Sequence, residues 1–162
     1  NSSPNMRSLT QAALYPGIGL LETTHLSVGR GTDTPFEMVG APYIDDVKLA
    51  AELNRLGLDG VRFVPVRFTP RSSVFMGEVC AGVNIVLINR ETCSVLDVGI
   101  SMAATLHRLY PGKFGLEKFD RLLVHPATVE AIRSGKEVDE IRGLWSGDLD
   151  RFMKRRAAFL LY

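Results

Sequence analysis

The stretch from Tyr15 to Asp45, YPGIGLLETTHLSVGRGTDTPFEMVGAPYID, constrains this chain more than any other part of it. Six glycines and prolines fall between Pro16 and Pro35, which breaks the segment up and reads as a long connection. Long connections inside compact domains are usually either functional or disordered. Here Leu20, Leu21, Leu26, Val28, Phe36 and Val39 supply apolar side chains to bury, which favours order. Among them stand Glu22, His25, Arg30, Asp33 and several hydroxyls, more polar groups than a mere connector needs. The expectation is an ordered loop that presents polar groups to a ligand.

At 162 residues the whole chain reads as one domain with a proper core. A net charge of +1 gives no basic footprint for nucleic acid or an anionic membrane surface. No apolar run approaches the roughly twenty residues of a membrane span. Fourteen arginines against five lysines fit carboxylate recognition by planar guanidinium forks, although a genomic base bias produces the same ratio. Cys80 and Cys93, the only cysteines, are read as buried free thiols, since two are no disulfide framework. The chain opens on Asn1 without a leader or a methionine, as a fragment of something larger would.

Around the loop, patterning predicts a short helix capped near Ser8 and stopped after Tyr15 by Pro16-Gly17. Asp45 is the expected N-cap of a helix carrying Val47, Leu49, Ala50, Leu53 and Leu56, closed by Gly57 or Gly60. Val61 to Phe68 reads as a strand that Pro65 demotes to an edge. Val79 to Ile88 reads as a central strand buried on both faces. An amphipathic helix follows over Val95 to Tyr110, stopped by Pro111-Gly112. Further helices are expected from His125-Pro126 to about Gly135, over Val138 to Arg142, and from about Asp148 to Leu161. Trp145 and Phe152 are assigned to packing, and His107 to a surface or half-buried place. The sum is an α+β domain, a small mixed sheet flanked by helices.

Generic chemistry narrows the loop without settling it. Gly29-Arg30-Gly31 lies in no phosphate-binding motif. His25, His107, His125, Cys80 and Cys93 have no metal-site spacing. There is no nucleophile-elbow motif. What remains is carboxylate chemistry, with Glu22, Asp33 and Glu37 as the acidic groups, or polar recognition. Arg30 is equally able to pair with Asp33 or Glu37 and simply fix the loop. Thr23, Thr24, Thr32 and Thr34 either donate to a sugar or satisfy the loop's own backbone. Tyr43 is either a sugar-stacking ring or a packing residue.

The motifs Tyr15-Pro16-Gly17, Leu20-Leu21-Glu22, Ser27 to Thr32 (SVGRGT), Pro35-Phe36-Glu37 and Gly40 to Asp45 (GAPYID) together resemble one family. Gly77 to Val83 (GEVCAGV), Leu109-Tyr110-Pro111, Ser3 to Met6 and the closing Arg155 to Tyr162 extend the likeness over the whole chain. The family is that of the exo-β-N-acetylmuramidases of bacterial cell-wall recycling, the NamZ-like glycoside hydrolases. The chain departs from the family pattern at Thr23, His25 and Val28. The resemblance implies a two-domain enzyme whose amino-terminal Rossmann-like domain, absent from this chain, carries most of the catalytic apparatus.

Residues 1–162 would then be the single carboxy-terminal domain, with 1–8 a linker remnant and 15–45 a cleft-forming loop. The implied substrate is a peptidoglycan-derived saccharide ending in N-acetylmuramic acid, with no cofactor or metal. Glu22 is the implied catalytic candidate. His25, Arg30, Thr32, Asp33, Phe36, Glu37 and Tyr43 are the implied substrate-binding residues, with Arg30 facing the lactyl carboxylate. Alone, the chain is expected to be inactive or nearly so, and the implied location is the cell envelope or outside the cell. Two readings of a different class stand beside this one: a non-catalytic carbohydrate-binding module, or a structural domain whose loop only docks on its neighbour.

Overall fold

The computed structural model describes residues 6–160. Residues 1–5 and 161–162, which hold most of the expected linker remnant and the last two residues of the closing motif, lie outside the described residues. Helix α1 spans Leu9–Ile18, with the Ser8 hydroxyl accepting a hydrogen bond from the Gln11 N–H at 3.1 Å. It does not stop at Pro16-Gly17 as predicted, but carries Pro16 inside it and continues into a 3-10 turn over Gly19–Thr23. Proline removes one N–H and crowds the preceding turn. That local cost is offset because Leu14, Ile18 and Leu21 of this continuous segment are all fully buried.

After the loop, strand β1 (Met38–Ala41) leads to helix α2 (Asp46–Arg55). Asp45 caps α2 as expected, its Oδ1 accepting from the Lys48 N–H at 2.9 Å. Leu49, Ala50 and Leu53 are buried, but Val47 is 65% and Leu56 43% exposed. Val47 lies half a turn round from Leu49, and Leu56 falls just beyond the last helical residue.

Strands β2 (Val61–Phe68) and β3 (Cys80–Leu87) pair antiparallel, from Val61 opposite Leu87 to Phe68 opposite Cys80. On the other side of β3, Met38 to Ala41 pair with Asn84 to Ala81, giving the order β1-β3-β2. The sheet is therefore antiparallel throughout and not mixed. β1 and β2 run the same way through the α2 crossover, but β3 lies between them, so no parallel pair is hydrogen-bonded. β2 is an edge strand, as Pro65 required. β3 is central, yet Val86 is 39% exposed while Val83 and Ile85 are buried, so its second half is buried on one face only.

Helix α3 (Val95–Leu109) is the central helix, with Ile100, Met102, Ala103 and Leu106 inaccessible to solvent. It packs against α1 through two glycines. A Cβ on Gly17 would stand 1.9 Å from the Val95 carbonyl oxygen, and one on Gly99 2.4 Å from the Gly17 carbonyl oxygen. A 3-10 turn (Leu116–Lys118) and the short α4 (Asp120–Leu123) precede α5 (Pro126–Arg133), which is capped by His125.

The two helices predicted after it are one, α6 (Val138–Ala157). Gly143 and Gly147 do not break it, because i,i+3 pairs such as Arg142–Asp139 and acid at its start with base at its end support it locally. Only Ile141 of α6 is buried. Trp145 packs partly against the core, whereas Phe152 is 48% exposed and lies beside Arg155, so its packing assignment does not hold. Arg142 joins α6 to α3 through the buried Asp97 carboxylate, Nη2 to Oδ2 at 2.7 Å. Cys80 and Cys93 are free and buried, as expected.

Candidate functional site

The loop is ordered by its own apolar residues: Leu26, Val28, Phe36 and Val39 are at most 4% exposed. Its backbone is tied to the sheet, with Ser27 and Gly40 exchanging hydrogen bonds at 2.9 Å and the Ile85 N–H donating to the Glu37 carbonyl at 2.6 Å. The Gly-Arg-Gly motif has a geometric explanation. Gly29 and Gly31 have φ of +76° and +81°, a region that side chains disfavour, and they bracket Arg30 in a tight turn. A Cβ at Gly31 would also lie 2.5 Å from the Ser72 nitrogen, where the β2–β3 connection passes close. The Arg71 N–H donates to the Gly31 carbonyl at 2.9 Å and fixes that approach.

The turn places Arg30 against Glu22, with Nε to Oε1 at 2.6 Å. The partner is thus Glu22 on the 3-10 turn, and not Asp33 or Glu37. The guanidinium also lies over the Phe36 ring, 5.3 Å from its centroid. Phe36 is fully buried, meets Tyr15 edge-on at 4.9 Å, and holds φ at +66°. A left-handed phenylalanine is strained by about 1–3 kcal/mol and persists only where its surroundings fix it. The hydrogen bond to Glu22 raises the Arg30 pKa further above its ordinary value, so the group stays charged. The pair uses Nε alone, and neither Nη has a hydrogen-bond partner among the described residues. Glu22 and Arg30 line a hollow of about 210 Å³, closed on one side by Ser73 and Val74 of the β2–β3 connection.

The other residues singled out from the sequence sit in different places. The Glu37 carboxylate accepts from Ser8 Oγ at 3.2 Å and Gln11 Nε2 at 3.0 Å, which fastens the loop to the start of α1. The Thr32 hydroxyl donates to the Gly29 carbonyl at 2.6 Å, Thr24 to Leu21 at 2.7 Å, and Thr23 to Lys118 at 2.6 Å. These threonines satisfy backbone, whereas the buried Thr34 hydroxyl has no partner among the described residues. Asp33 is exposed.

His25 and Tyr43 form a separate group. The Tyr43 hydroxyl donates to the His25 carbonyl at 2.7 Å, and the two His25 ring nitrogens meet the Lys113 carbonyl at 3.3 Å and Lys118 Nζ at 2.5 Å. A proton on Nδ1 satisfies both ring contacts at once. Burial, with Tyr110 beside it, raises the Tyr43 phenol well above its ordinary pKa, so it stays a donor. Ser73 and Val74 were missed from sequence. Their neighbours Pro70, Arg71 and Ser72 signal a turn, but only the fold carries that turn onto Arg30. Among the described residues no group of three or more His, Cys, Asp or Glu could hold a metal ion, and no helix is long and apolar enough to cross a membrane.

The α+β fold of this domain is shared with solved proteins. The fold is similar to that of two DUF1343 family proteins from Bacteroides fragilis NCTC 9343. One matches with a TM-score of 0.88 and 28% identity, covering 99% of this chain and 44% of that one. The other matches with a TM-score of 0.73 and 30% identity, over 99% and 43%. The chain is also 37% identical to the peptidoglycan β-N-acetylmuramidase NamZ of Bacillus subtilis (strain 168), over 99% of its own length and 39% of the relative's. Residues 13–162 match the family described as exo-beta-N-acetylmuramidase NamZ, C-terminal, and the chain belongs to that family. It spans about two fifths of the length of the curated relative.

Proposed function

We propose that this chain forms one wall of the saccharide cleft of an exo-acting glycosidase that releases terminal N-acetylmuramic acid from peptidoglycan fragments. The observation that carries the reading is Arg30. Its guanidinium is held by Glu22 and Phe36, while neither Nη group has a hydrogen-bond partner among the described residues, beside a hollow that Arg30 lines. A planar fork with two free donors suits the lactyl carboxylate that distinguishes muramic acid from other amino sugars. The hollow, at about 210 Å³, is smaller than the roughly 300–1,000 Å³ of a complete ligand pocket. A second wall is therefore needed, and we assign it to an amino-terminal Rossmann-like domain within the length that this chain does not span.

In this reading Glu22 orients Arg30 and offers its second oxygen to a sugar hydroxyl or to a proton in transfer. Thr32, Phe36 and Glu37 act as positioning residues, since their contacts hold the loop itself. Asp33 is free to reach substrate, and His25 and Tyr43 brace the loop against residues 113–118. An enzyme with this substrate works in the cell envelope or outside the cell.

The test is Arg30→Ala in a protein carrying the full length of these relatives, assayed on chromogenic glycosides of N-acetylmuramic acid and of N-acetylglucosamine. Loss of a charge-assisted hydrogen bond of about 1.5–3 kcal/mol should lower kcat/KM for the muramic substrate roughly ten- to a hundred-fold. The glucosamine substrate, lacking the lactyl group, should be unaffected. Equal losses on both, or none on either, would sink the assignment.

A further inference from the structure

A hollow larger than the one beside Arg30 lies elsewhere on the domain. A groove of about 560 Å³ lies between the end of α2, the second half of α3 and the turn joining α5 to α6. Its volume falls within the roughly 300–1,000 Å³ of ligand pockets. None of the loop residues 15–45 lines it.

Cations reach this groove from separate elements: Arg55 ends α2, Arg108 lies on α3, and Arg133 and Lys136 flank the end of α5. Arg55 and Arg108 both bond the same oxygen of Glu52, Oε2, at 2.6 and 2.5 Å. Each spends one Nη on it, so further donors remain on both forks. Arg133 is paired with Glu130, and Glu137 also lines the groove. Four cations thus face three carboxylates, leaving one positive charge. That balance suits a monoanion better than a phosphate dianion.

The second observation is Ser101. It lines the groove, is 1% exposed, and its hydroxyl has no hydrogen-bond partner among the described residues. A serine within a helix ordinarily bonds a carbonyl of the preceding turn. An unsatisfied buried hydroxyl costs about 1–3 kcal/mol. Leu56, Ala104, Ile132 and Val138 add apolar surface beside these polar groups.

We infer that this groove is a second binding site, for the carboxylate end of a small aliphatic peptide or acyl amino acid. The arginines take the carboxylate, Ser101 bonds an amide or carboxylate oxygen, and the aliphatic side chain lies on Leu56 and Ile132. The inference stands apart from the muramic-acid reading, because it uses different residues and no turnover.

The experiment is a titration of the ¹⁵N-labelled 162-residue chain, followed by amide shifts. The probe is N-acetyl-alanyl-alanine, with its carboxamide as a neutral control and inorganic phosphate as a dianionic one. The acid should give saturable shifts at Ser101, Thr105 and Lys136. The carboxamide and phosphate should each bind at least about tenfold more weakly, the loss of a charge-assisted contact. Arg108→Ala, Ser101→Ala and Lys136→Gln, the last a surface change at an exposed residue, should each weaken the acid about fivefold or more.

Absence of saturation, equal binding of acid and carboxamide, phosphate binding as tightly as the acid, or indifference to all three substitutions would overturn the proposal. A parallel titration with N-acetylmuramic acid reads the amides of Leu26 and Arg30. The two sites therefore succeed or fail separately.

Discussion

The crossing of α1 and α3 fixes where Glu22 stands, because α1 runs on into the 3-10 turn that carries it. Gly99→Ala tests that crossing. The added Cβ would lie 2.4 Å from the Gly17 carbonyl oxygen, 2.8 Å from its carbon and 3.1 Å from its Cα. Ordinary contact begins at 3.4 Å, so the helices must part by about 1 Å. All three obstacles are backbone, so no side chain can turn away to make room. Overpacking of this kind costs about 1–3 kcal/mol. Replacing glycine by alanine within a helix contributes about 1 kcal/mol in the opposite direction.

Because the clash is backbone against backbone, the upper part of that range applies, and a net loss of about 1–2 kcal/mol is expected. Gly143→Ala in α6 isolates the propensity effect, since nothing lies within 4 Å of its Cβ position, and it should gain about 0.5–1 kcal/mol. Urea unfolding read at a common m value measures both. If Gly99→Ala matched or exceeded the native stability while Gly143→Ala gained as expected, α1 and α3 would not meet there.

Three smaller tests follow from the ion pairs and thiols. Arg67, hydrogen-bonded to Asp46 at 3.1 Å, holds that carboxyl below the usual carboxylate range. Its contribution is then whole above about pH 4 and fades as pH falls through the lowered folded value, because the unfolded chain takes up the proton first. The stability gap between the native chain and Arg67→Gln should therefore be widest near neutrality and close in acid; a pH-independent gap would refute the pair. Burial, with Glu78 nearby, pushes the Cys80 thiol up to about 11, and burial also raises Cys93. At pH 8 both should react with a chromogenic disulfide far more slowly in the native chain than in denaturant, Cys80 slowest, and a fast native reaction at Cys80 would contradict its burial. Arg142→Ala leaves Asp97 buried without its cation; since Arg142 is 49% exposed, the loss is held to about 1–2 kcal/mol. Amide exchange over the first turns of α6 should quicken, and unchanged exchange would remove Arg142 as the clasp.

Elements whose signals are local were legible in the sequence. Asp45 capped α2, Pro65 marked an edge strand, and Pro111-Gly112 ended α3 because each acts within a few residues of itself. β1 was not legible: its four residues show no alternation, and it exists through pairing with β3 forty or more residues on. Gly40 and Gly82 face each other across that pair, and a Cβ on Gly82 would lie 1.9 Å from the Val39 carbonyl oxygen. Read locally, those glycines mean a break; in the sheet they permit close approach. Pro16-Gly17 misled in the same way, as the stop signal yielded to burial against α3. The Arg30–Glu22 pair joins a turn to a 3-10 segment eight residues earlier, and spacing alone could not prefer Glu22 over the nearer Asp33 and Glu37.

The loop's polar groups divide by what they touch. Thr23, Thr24, Thr32 and Glu37 spend their hydrogen bonds on the domain itself, as a self-satisfied connector would. Phe36 is kept in the left-handed region, fully buried, with Arg30 over its ring. Strain of about 1–3 kcal/mol concentrates where the surroundings must present one group in one place. Here that group is a guanidinium oriented by its Nε, stacked on an aromatic ring and bracketed by two positive-φ glycines, with neither Nη partnered among the described residues. Arg30→Lys would keep the charge but lose the fork and the stacking, so under the proposed function it should rescue little of what Arg30→Ala removes from turnover of the muramic substrate. Full rescue by lysine would mean that charge alone matters, and the bracketing glycines and the strained ring would then need another explanation.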